Sequence, residues 1–195
     1  MNILFFKSIE KLTKISPEEA SLFFSFFQER KYKKNSILLQ EGEVAHELYF
    51  VLKGALRQFF SKEDGVKKTC NFTFEAEFFT DIESFSRKSC SVTNITALEP
   101  TECLVITCTD LMKAISQSTV IAELCRTIVE NMATGNIKRI QSMLSLTPEN
   151  QFKELVNSNP EILQRVPQRY IAQYLGLAPE SLSRIRKRIL TTDKA

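Results

Sequence analysis

Short apolar runs separated by turn residues occupy the chain between residues 35 and 108. The run Leu48–Leu52 ends at Lys53-Gly54, and Glu63-Asp64-Gly65 lies between two later runs, as in a β-hairpin. The expected strands cover residues 37–39, 48–52, 55–60, 66–74 and 101–107. Strands this short and evenly spaced predict an antiparallel barrel or sandwich.

Helical spacing dominates the first 30 residues. Ser16 is a good capping residue, Pro17 suits the first helical position, and Glu18-Glu19 places negative charge near the positive end of the helix dipole. The apolar residues that follow recur at helical intervals: Leu22, Phe23, Phe26 and Phe27. We expect these four side chains to lie in the core.

A longer helical stripe runs from residue 110 to about residue 145, a segment without proline. Its apolar members are Leu111, Ile115, Ile121, Leu124, Ile128, Met132, Ile140 and Leu144. One helix over this segment would be roughly 45 Å long, more than a small domain needs. We therefore expect two copies of the chain to pair along it about a two-fold axis. The alternative is that the stripe packs only on the strands of its own chain.

Two short helices joined by a glycine are predicted near the end of the sequence. A preceding helix begins at Thr147. Pro167 suits the first turn of the next helix, residues 168–175, and Gly176 suits a turn that needs positive φ. Pro179 then opens the second helix. This arrangement predicts a helix-turn-helix.

The second of these helices separates an apolar side from a charged side. Leu182, Ile185 and Ile189 cluster on one side. An α-helix fits the major groove of DNA, where Arg184 can donate two hydrogen bonds to guanine and Glu180 can accept one from cytosine N4. The predicted DNA-binding residues are Gln168, Arg169, Glu180, Ser181, Ser183, Arg184, Lys187 and Arg188. Within this set, Gln168, Arg169, Lys187 and Arg188 are expected to hold phosphates.

Charge supports this reading by its location. The chain has a formal net charge of +3, and the segment from Arg165 to Leu190 contains six basic residues and one acid, Glu180. Such a concentration of positive charge indicates a surface for a polyanion. The alternative is an ordinary solvated basic helix face.

Composition excludes several other classes of protein. Hydrophobic residues make up 43% of the 195 residues and charged residues 25%, which is typical of a soluble globular chain. No run of about 18 apolar residues predicts a membrane span, and residues 1–6 lack the basic region of a signal peptide. We therefore expect a cytoplasmic protein.

The cysteines and the single histidine offer little chemistry. Five cysteines at scattered spacings, without a Cys-x-x-Cys, make a poor disulfide framework or metal site, so we expect reduced and mostly buried thiols. A Ser–His catalytic triad would have to use His46, and neither a nucleophile-elbow nor a P-loop motif accompanies it. An enzyme is therefore not expected, and no metal site is assigned.

The order of these regions resembles the Crp/Fnr family of bacterial transcription regulators over nearly the whole chain. The resemblance rests on the segment Leu48–Gly54, on the long helix and on the segment Ala178–Arg188. It implies an α+β fold with an antiparallel, jelly-roll-like β-roll sensor domain, a long dimerisation helix and a winged-helix-like helix-turn-helix domain. The expected boundaries are 1–109, 110–145 and 146–195.

In the recognition helix of cyclic-AMP-binding members of that family, an Arg-Glu pair is followed by a second Arg four residues after the Glu. Here Pro179 replaces the first Arg, whereas Glu180 and Arg184 match. The resemblance therefore supports Glu180 and Arg184 as the residues that read bases.

The ligand pocket implied by the resemblance departs further from the family pattern. Cyclic-nucleotide binders have a Gly-Glu pair and a phosphate-binding Arg, whereas this chain has Ala76-Glu77 and places Ser91 at the Arg position. The candidate ligand-binding residues are Glu77, Phe78, Arg87, Ser91 and Val92. A buried phosphate without a paired cation is costly, so cyclic AMP is not favoured, and no cofactor is assigned. An unidentified small ligand and the absence of any ligand both stay open.

The sequence thus supports a dimeric transcription regulator with double-stranded DNA and a second copy of the chain as partners, and RNA polymerase as a further candidate partner. The alternative is a cyclic-nucleotide-binding-type signalling module whose last helices dock a protein.

Overall fold

The computed structural model describes residues 2–192, and side chains up to residue 189. These residues form nine helices and eight strands. The helices are α1 (Ile3–Glu10), α2 (Pro17–Ser25), α3 (Ile82–Arg87), α4 (Cys108–Gln117), α5 (Thr119–Ser145), α6 (Pro148–Ser158), α7 (Ile162–Arg165), α8 (Gln168–Leu175) and α9 (Pro179–Thr192). The strands are β1 (Gln28–Tyr32), β2 (Ile37–Leu39), β3 (Glu47–Lys53), β4 (Leu56–Ser61), β5 (Lys67–Thr73), β6 (Phe78–Phe79), β7 (Asn94–Ala97) and β8 (Thr101–Thr107).

The strands form two four-stranded sheets, in the orders β1-β8-β3-β6 and β2-β7-β4-β5. The pairs β1–β8, β3–β8, β3–β6 and β2–β7 are antiparallel, with Tyr49 opposite both Val105 and Phe79. This confirms the predicted antiparallel β-roll and its α+β setting.

The chain divides into two compact units. One contains the residues up to Gln58 together with Phe72–Asn136, and the other contains Phe59–Asn71 together with the residues from Ile137 onward. Helix α5 contributes to both, and the β4–β5 hairpin tip is grouped with the last helices. The boundaries expected from the sequence, 1–109, 110–145 and 146–195, stay a prediction.

Strand β3 lies between two layers of the core because successive side chains point to opposite faces. Leu48 and Phe50 face the cluster formed with α1, α2, α4 and α5, in which the ring of Phe5 lies 5.2 Å from that of Phe50. Tyr49 and Val51 face a second cluster shared with the other sheet. A continuous apolar run is thus buried on both sides.

The predicted cap of α2 is confirmed in detail. The Ser16 hydroxyl accepts from the Glu19 amide, and the Glu19 carboxylate accepts from the Ser16 amide, which completes a capping box. In the β-roll, Gly54 has φ +95°, and a Cβ there would lie 2.5 Å from the Thr101 hydroxyl. The positive φ and the close approach of Thr101 both require a glycine at the end of β3.

The expected single helix from residue 110 to 145 is wrong at Ser118. This residue is extended (φ −152°, ψ 130°), and its hydroxyl accepts from the amides of Val120 and Ile121. Ser118 thus ends α4 and caps α5, because serine competes with the helix for backbone donors. Helix α5 alone has 27 residues, about 40 Å.

The apolar stripe along these helices also divides. Ile121, Leu124 and Ile128 are buried in the core of the first unit, so the alternative reading holds for them. Ile140 and Leu144 are exposed, as are Ile137 and Met143. The fully exposed members of the stripe thus lie in the distal part of α5, residues 137–145, where a partner can reach them.

The five cysteines all lie in the described part of the chain, and none forms a disulfide. Cys103 and Cys125 are buried, and burial raises the pKa of each thiol to about 12. Cys70 and Cys108 are half-buried and Cys90 is exposed, so the expectation of mostly buried thiols holds for two of the five.

Candidate DNA interface and ligand site

Helices α8 and α9 pack on each other through small and apolar side chains. Ile171, Ala172 and Leu175 of α8 are buried, as are Leu182 and Ile185 of α9. Their contacts remove the apolar side of α9 from solvent, as the spacing of Leu182 and Ile185 predicts. The second helix is thereby held with its other side outward.

The turn between the two helices has the conformation expected for glycine. Gly176 has φ +69°, and the Leu177 amide donates to the carbonyl oxygen of Ala172 at 2.9 Å. A left-handed residue with such a bond closes the end of α8 and sends the chain into α9 at Pro179. The predicted bounds of α8, residues 168–175, are confirmed.

The outward side of α9 is polar and accessible. Glu180, Ser183, Arg184, Lys187 and Arg188 are exposed, and Ser181 is half-buried. A stripe with one acid, a hydroxyl and three cations offers donors and an acceptor along a single helix face. It has the chemical features that a major groove requires.

Arg188 also forms an ion pair with a residue of the same unit. Its guanidinium lies 2.6 Å from the carboxylate of Glu149, in the first turn of α6. The pair fixes one end of the exposed α9 face against α6. The sequence did not predict this contact because 39 residues separate the partners.

Gln168 and Arg169 are exposed at the start of α8. The Arg169 guanidinium lies 4.9 Å from the centre of the Tyr170 ring and donates to the Tyr170 hydroxyl at 3.2 Å. Pro167 supplies no side-chain cap to this helix, and the Tyr170 amide donates to the Pro167 carbonyl oxygen at 2.8 Å. The positive end of a helix dipole with a cation beside it suits an anion such as phosphate.

A polar junction that the sequence did not predict lies below this helix pair. Arg139, on the distal part of α5, donates to the backbone oxygen of Tyr174 and to Gln151 at 3.3 Å. Its guanidinium also stacks on the Tyr174 ring, 3.6 Å from the ring centre. Only the position of Arg139 inside an apolar stripe could have signalled an unusual environment.

The ligand candidates do not converge on one pocket. Phe78 packs 4.8 Å from the ring of Phe50 and 6.1 Å from that of Phe5, in the core on the helix side of the sheet. Arg87 is exposed and lies 3.8 Å from the carboxylate of Glu83. Val92 is 72% exposed. Phe78 therefore packs in the core. Arg87, on α3, points toward solvent.

Glu77 follows a strained turn. Ala76 has φ +69°, a left-handed conformation that favours glycine, and its amide donates to the Val51 carbonyl oxygen at 2.9 Å. The Glu77 carboxylate accepts from the Phe74 amide at 2.9 Å. Although part of the residue is exposed, desolvation raises the pKa of the Glu77 carboxyl, and the nearby charge of Glu75 raises it further.

Ser91 is buried, 3% exposed, and its contacts oppose a phosphate. Its hydroxyl donates to the Asp81 carboxylate at 2.6 Å, and the Thr93 hydroxyl donates to the same oxygen at 3.1 Å. The position at which the family pattern expects an arginine thus holds a serine bound to a carboxylate. A cyclic nucleotide phosphate does not fit this set of residues, because an anion would face an anion.

Residues 2–192 were found to contain neither a metal-binding cluster nor a membrane-spanning helix. No group of three or more His, Cys, Asp or Glu side chains in this range is placed to hold a metal ion. No helix in the same range is both long and apolar enough to cross a membrane.

One family model matches the β-roll, and whole relatives match most of the chain. Residues 29–118 match the family model described as a cyclic nucleotide-binding domain. The chain is 26% identical over 181 residues to the "cAMP-activated global transcriptional regulator CRP" of Pasteurella multocida, covering 85% of this chain and 84% of that protein. The protein of the same name from Salmonella typhimurium is 23% identical over 181 residues, covering 85% and 83%.

Solved structures share the fold at lower identity. FixK2 from Bradyrhizobium japonicum superposes with a TM-score of 0.67 at 20% identity, covering 86% of each chain. The c-di-GMP-responsive global regulator CLP from Xanthomonas campestris superposes with a TM-score of 0.66 at 14% identity, covering 91% of this chain and 93% of that one. The fold therefore extends across the β-roll, the long helix and the last helices.

Proposed function

Because this chain is a member of the Crp/Fnr family of transcription regulators, we propose that it binds double-stranded DNA and regulates transcription, with α9 in the major groove. The observation that carries the proposal is the division of α9. Leu182 and Ile185 are buried, while Glu180, Arg184 and Lys187 face outward. A helix held by one face and charged on the other is suited to reading base edges.

The exposed residues divide by the atoms they offer. Arg184 is proposed to donate two hydrogen bonds to guanine, and Glu180 to accept one from cytosine N4. Lys187, Gln168 and Arg169 are proposed to contact phosphates, together with the amides at the start of α8. Arg188 is assigned to phosphates as well, oriented by its ion pair with Glu149.

A second copy of the chain is the proposed partner along distal α5. Ile137, Ile140 and the adjacent pair Met143-Leu144 follow one another on this helix at intervals of three or four residues. All four are exposed, and Leu144 is 84% exposed. Burying such a stripe against its own copy would produce a two-fold dimer. A dimer would place two copies of α9 on the half-sites of a palindrome.

The proposed effector is not cyclic AMP bound through a buried arginine. The hydrogen bond from Ser91 to Asp81 supports this proposal, because a phosphate beside Ser91, as the resemblance implies, would meet a carboxylate. A different small ligand in the β-roll and regulation without a ligand remain the two alternatives. RNA polymerase stays a candidate partner.

Selection of bound duplexes from a random DNA pool tests the proposal, with and without cyclic nucleotides. We expect enrichment of a palindrome, and an affinity that falls steeply as salt rises because phosphate contacts release counterions. The pools selected with and without cyclic AMP should yield the same sequence. Failure to enrich any duplex would contradict the proposal and favour the alternative, in which the last helices dock a protein.

A further inference from the structure

Arg139 joins three helices of the second unit. One amino group of its guanidinium donates to the backbone oxygen of Tyr174 in α8, and the other donates to the Gln151 side chain of α6 at 3.3 Å. Gln151 is buried and donates onward to the Leu146 carbonyl oxygen at 3.0 Å, just after α5 ends. A hydrogen bond of 2.8 Å between Ser142 and Glu154 also links α5 to α6.

The contact with Tyr174 lies at a sensitive point of the helix-turn-helix. Tyr174 is in the last turn of α8, where carbonyl groups lack helical partners and the helix dipole is negative. A guanidinium there both satisfies an orphan carbonyl and complements the dipole. Gly176 and the turn into α9 follow two residues later. Arg139 therefore holds the end of α8 from which the recognition helix departs.

The contacts of Arg139 carry a cost in the free energy of unfolding. The Nε atom of Arg139 is buried and has no hydrogen-bond partner within residues 2–192. Desolvation lowers the pKa of this guanidinium, although the charge of Glu154 opposes the shift. An arginine that is half-buried at such a cost is better explained by the orientation that it imposes than by the free energy of unfolding.

We propose that Arg139 is a positioning residue that fixes the direction of α8 and α9 relative to distal α5, and thereby sets the spacing of the two half-sites that the dimer reads. The proposal rests on the proposed function, since it requires a dimer along α5. In such a dimer, any change in the angle between distal α5 and α9 appears twice, once in each copy. Half-sites lie about 10–10.5 bp apart centre to centre when two recognition helices enter successive major grooves.

The test uses the full chain and the palindrome selected for it, with the spacer between half-sites changed in single base-pair steps. The variants are Arg139→Lys, which keeps a charge but loses the two-armed contact, and Arg139→Met. The matched control is Lys138→Met, which removes an exposed cation from the same helix. We expect wild type and Lys138→Met to prefer one spacing by roughly tenfold or more over the neighbouring spacings.

Both Arg139 variants should bind neighbouring spacings to within about threefold of one another while keeping the half-site sequence. A merely structural role would lower the affinity for all spacings in parallel and leave the spacing preference unchanged. That parallel loss would overturn the proposal, as would full retention of affinity and preference.

Hydrogen exchange without DNA separates this proposal from the proposed function. Amides in the last turn of α8 and at Gly176 should exchange about tenfold faster or more in Arg139→Met, while amides of the first unit keep their rates. Unchanged exchange at these amides would overturn the positioning role even if the protein bound no DNA. Faster exchange in a protein that binds no DNA would support the positioning contact and overturn its link to half-site spacing.

Discussion

The Ser91 hydroxyl donates a hydrogen bond of 2.6 Å to the carboxylate of Asp81, inside the β-roll of a protein related to cyclic-AMP-activated regulators. Thr93 donates to the same carboxylate oxygen, and Gln58 donates to the Thr93 hydroxyl at 2.9 Å. These bonds form a connected set of polar side chains around the Asp81 carboxylate. The two residues lead to the first two predictions.

Cyclic AMP should not stabilise this protein against thermal unfolding. A ligand present at about 100 times its Kd adds about 2.7 kcal/mol to the free energy of unfolding, which would raise the Tm by several degrees. We expect no rise in Tm at millimolar cyclic AMP because the phosphate would meet Asp81. The CRP protein of Pasteurella multocida is a suitable positive control in the same assay. A rise in the Tm of the present chain would show that the phosphate is held elsewhere.

Ser91→Ala should lower the free energy of unfolding by about 1–3 kcal/mol, because Asp81 would lose its shortest donor in a partly buried setting. Urea denaturation measures the change. Ser86→Ala is the matched control, since Ser86 is exposed on α3 and should cost within about 0.5 kcal/mol. Equal stabilities of the two variants would mean that water replaces the Ser91 hydroxyl.

Glu77→Gln should stabilise the protein at neutral pH and lose this advantage in acid. Desolvation raises the native pKa of Glu77, so stability from its protonated form is complete below about pH 4.3, the ordinary pKa of Glu. That stability is lost as the pH rises through the raised native pKa. Glutamine stays neutral and can still accept from the Phe74 amide.

Thermal unfolding between pH 4 and pH 7 measures the effect. The difference in Tm between Glu77→Gln and wild type should grow with pH across this interval. Glu63→Gln, in the exposed hairpin turn, is the control and should show a much smaller change. A constant difference at all pH values would indicate that the carboxyl group is effectively solvated.

Local signals predicted much of the fold. Helix α8 and strand β8 have the predicted bounds because Pro167, Gly176 and the turn before Thr101 mark their ends in the sequence itself. The outward side of α9 followed from the spacing of Leu182 and Ile185. In each case, residues close in sequence determine the feature.

The features that sequence reasoning missed depend on distant partners. Arg139 meets Tyr174 across 35 residues, and Ser118 changes from a helical to an extended residue while its hydroxyl also donates to Glu19 at 2.8 Å. Periodicity could predict an apolar stripe from Ile121 to Leu144, but not which of its members are buried within the chain. Contacts of this kind are set by tertiary packing.

The exposed part of that stripe leads to a prediction about association. Leu144→Glu should weaken the dimer, because two-fold symmetry removes two leucines from the interface and adds two like charges near the axis. We expect the dimer Kd to rise by about tenfold or more in sedimentation equilibrium. Because Leu144 is exposed in the single chain, the fold itself should be little affected.

Lys138→Glu places the same acid at a different exposed position of α5 and serves as the control. An unchanged association constant for Leu144→Glu would exclude this part of α5 from the interface.

Arg184 and Lys187 are neighbours on the exposed side of α9, but their substitution by alanine should affect DNA binding in different ways. Arg184→Ala should cost about 1–3 kcal/mol at the selected site and relax the choice of base at one position of each half-site, because a bidentate contact to guanine is lost. Lys187→Ala should weaken binding to all duplexes alike and reduce the salt dependence by about one phosphate contact, because a phosphate carries no sequence information. Affinities for the selected site and its single-base variants, measured at several salt concentrations, separate the two effects. If Arg184→Ala kept the original preference at every position, the reading of bases would have to be assigned to another residue of α9.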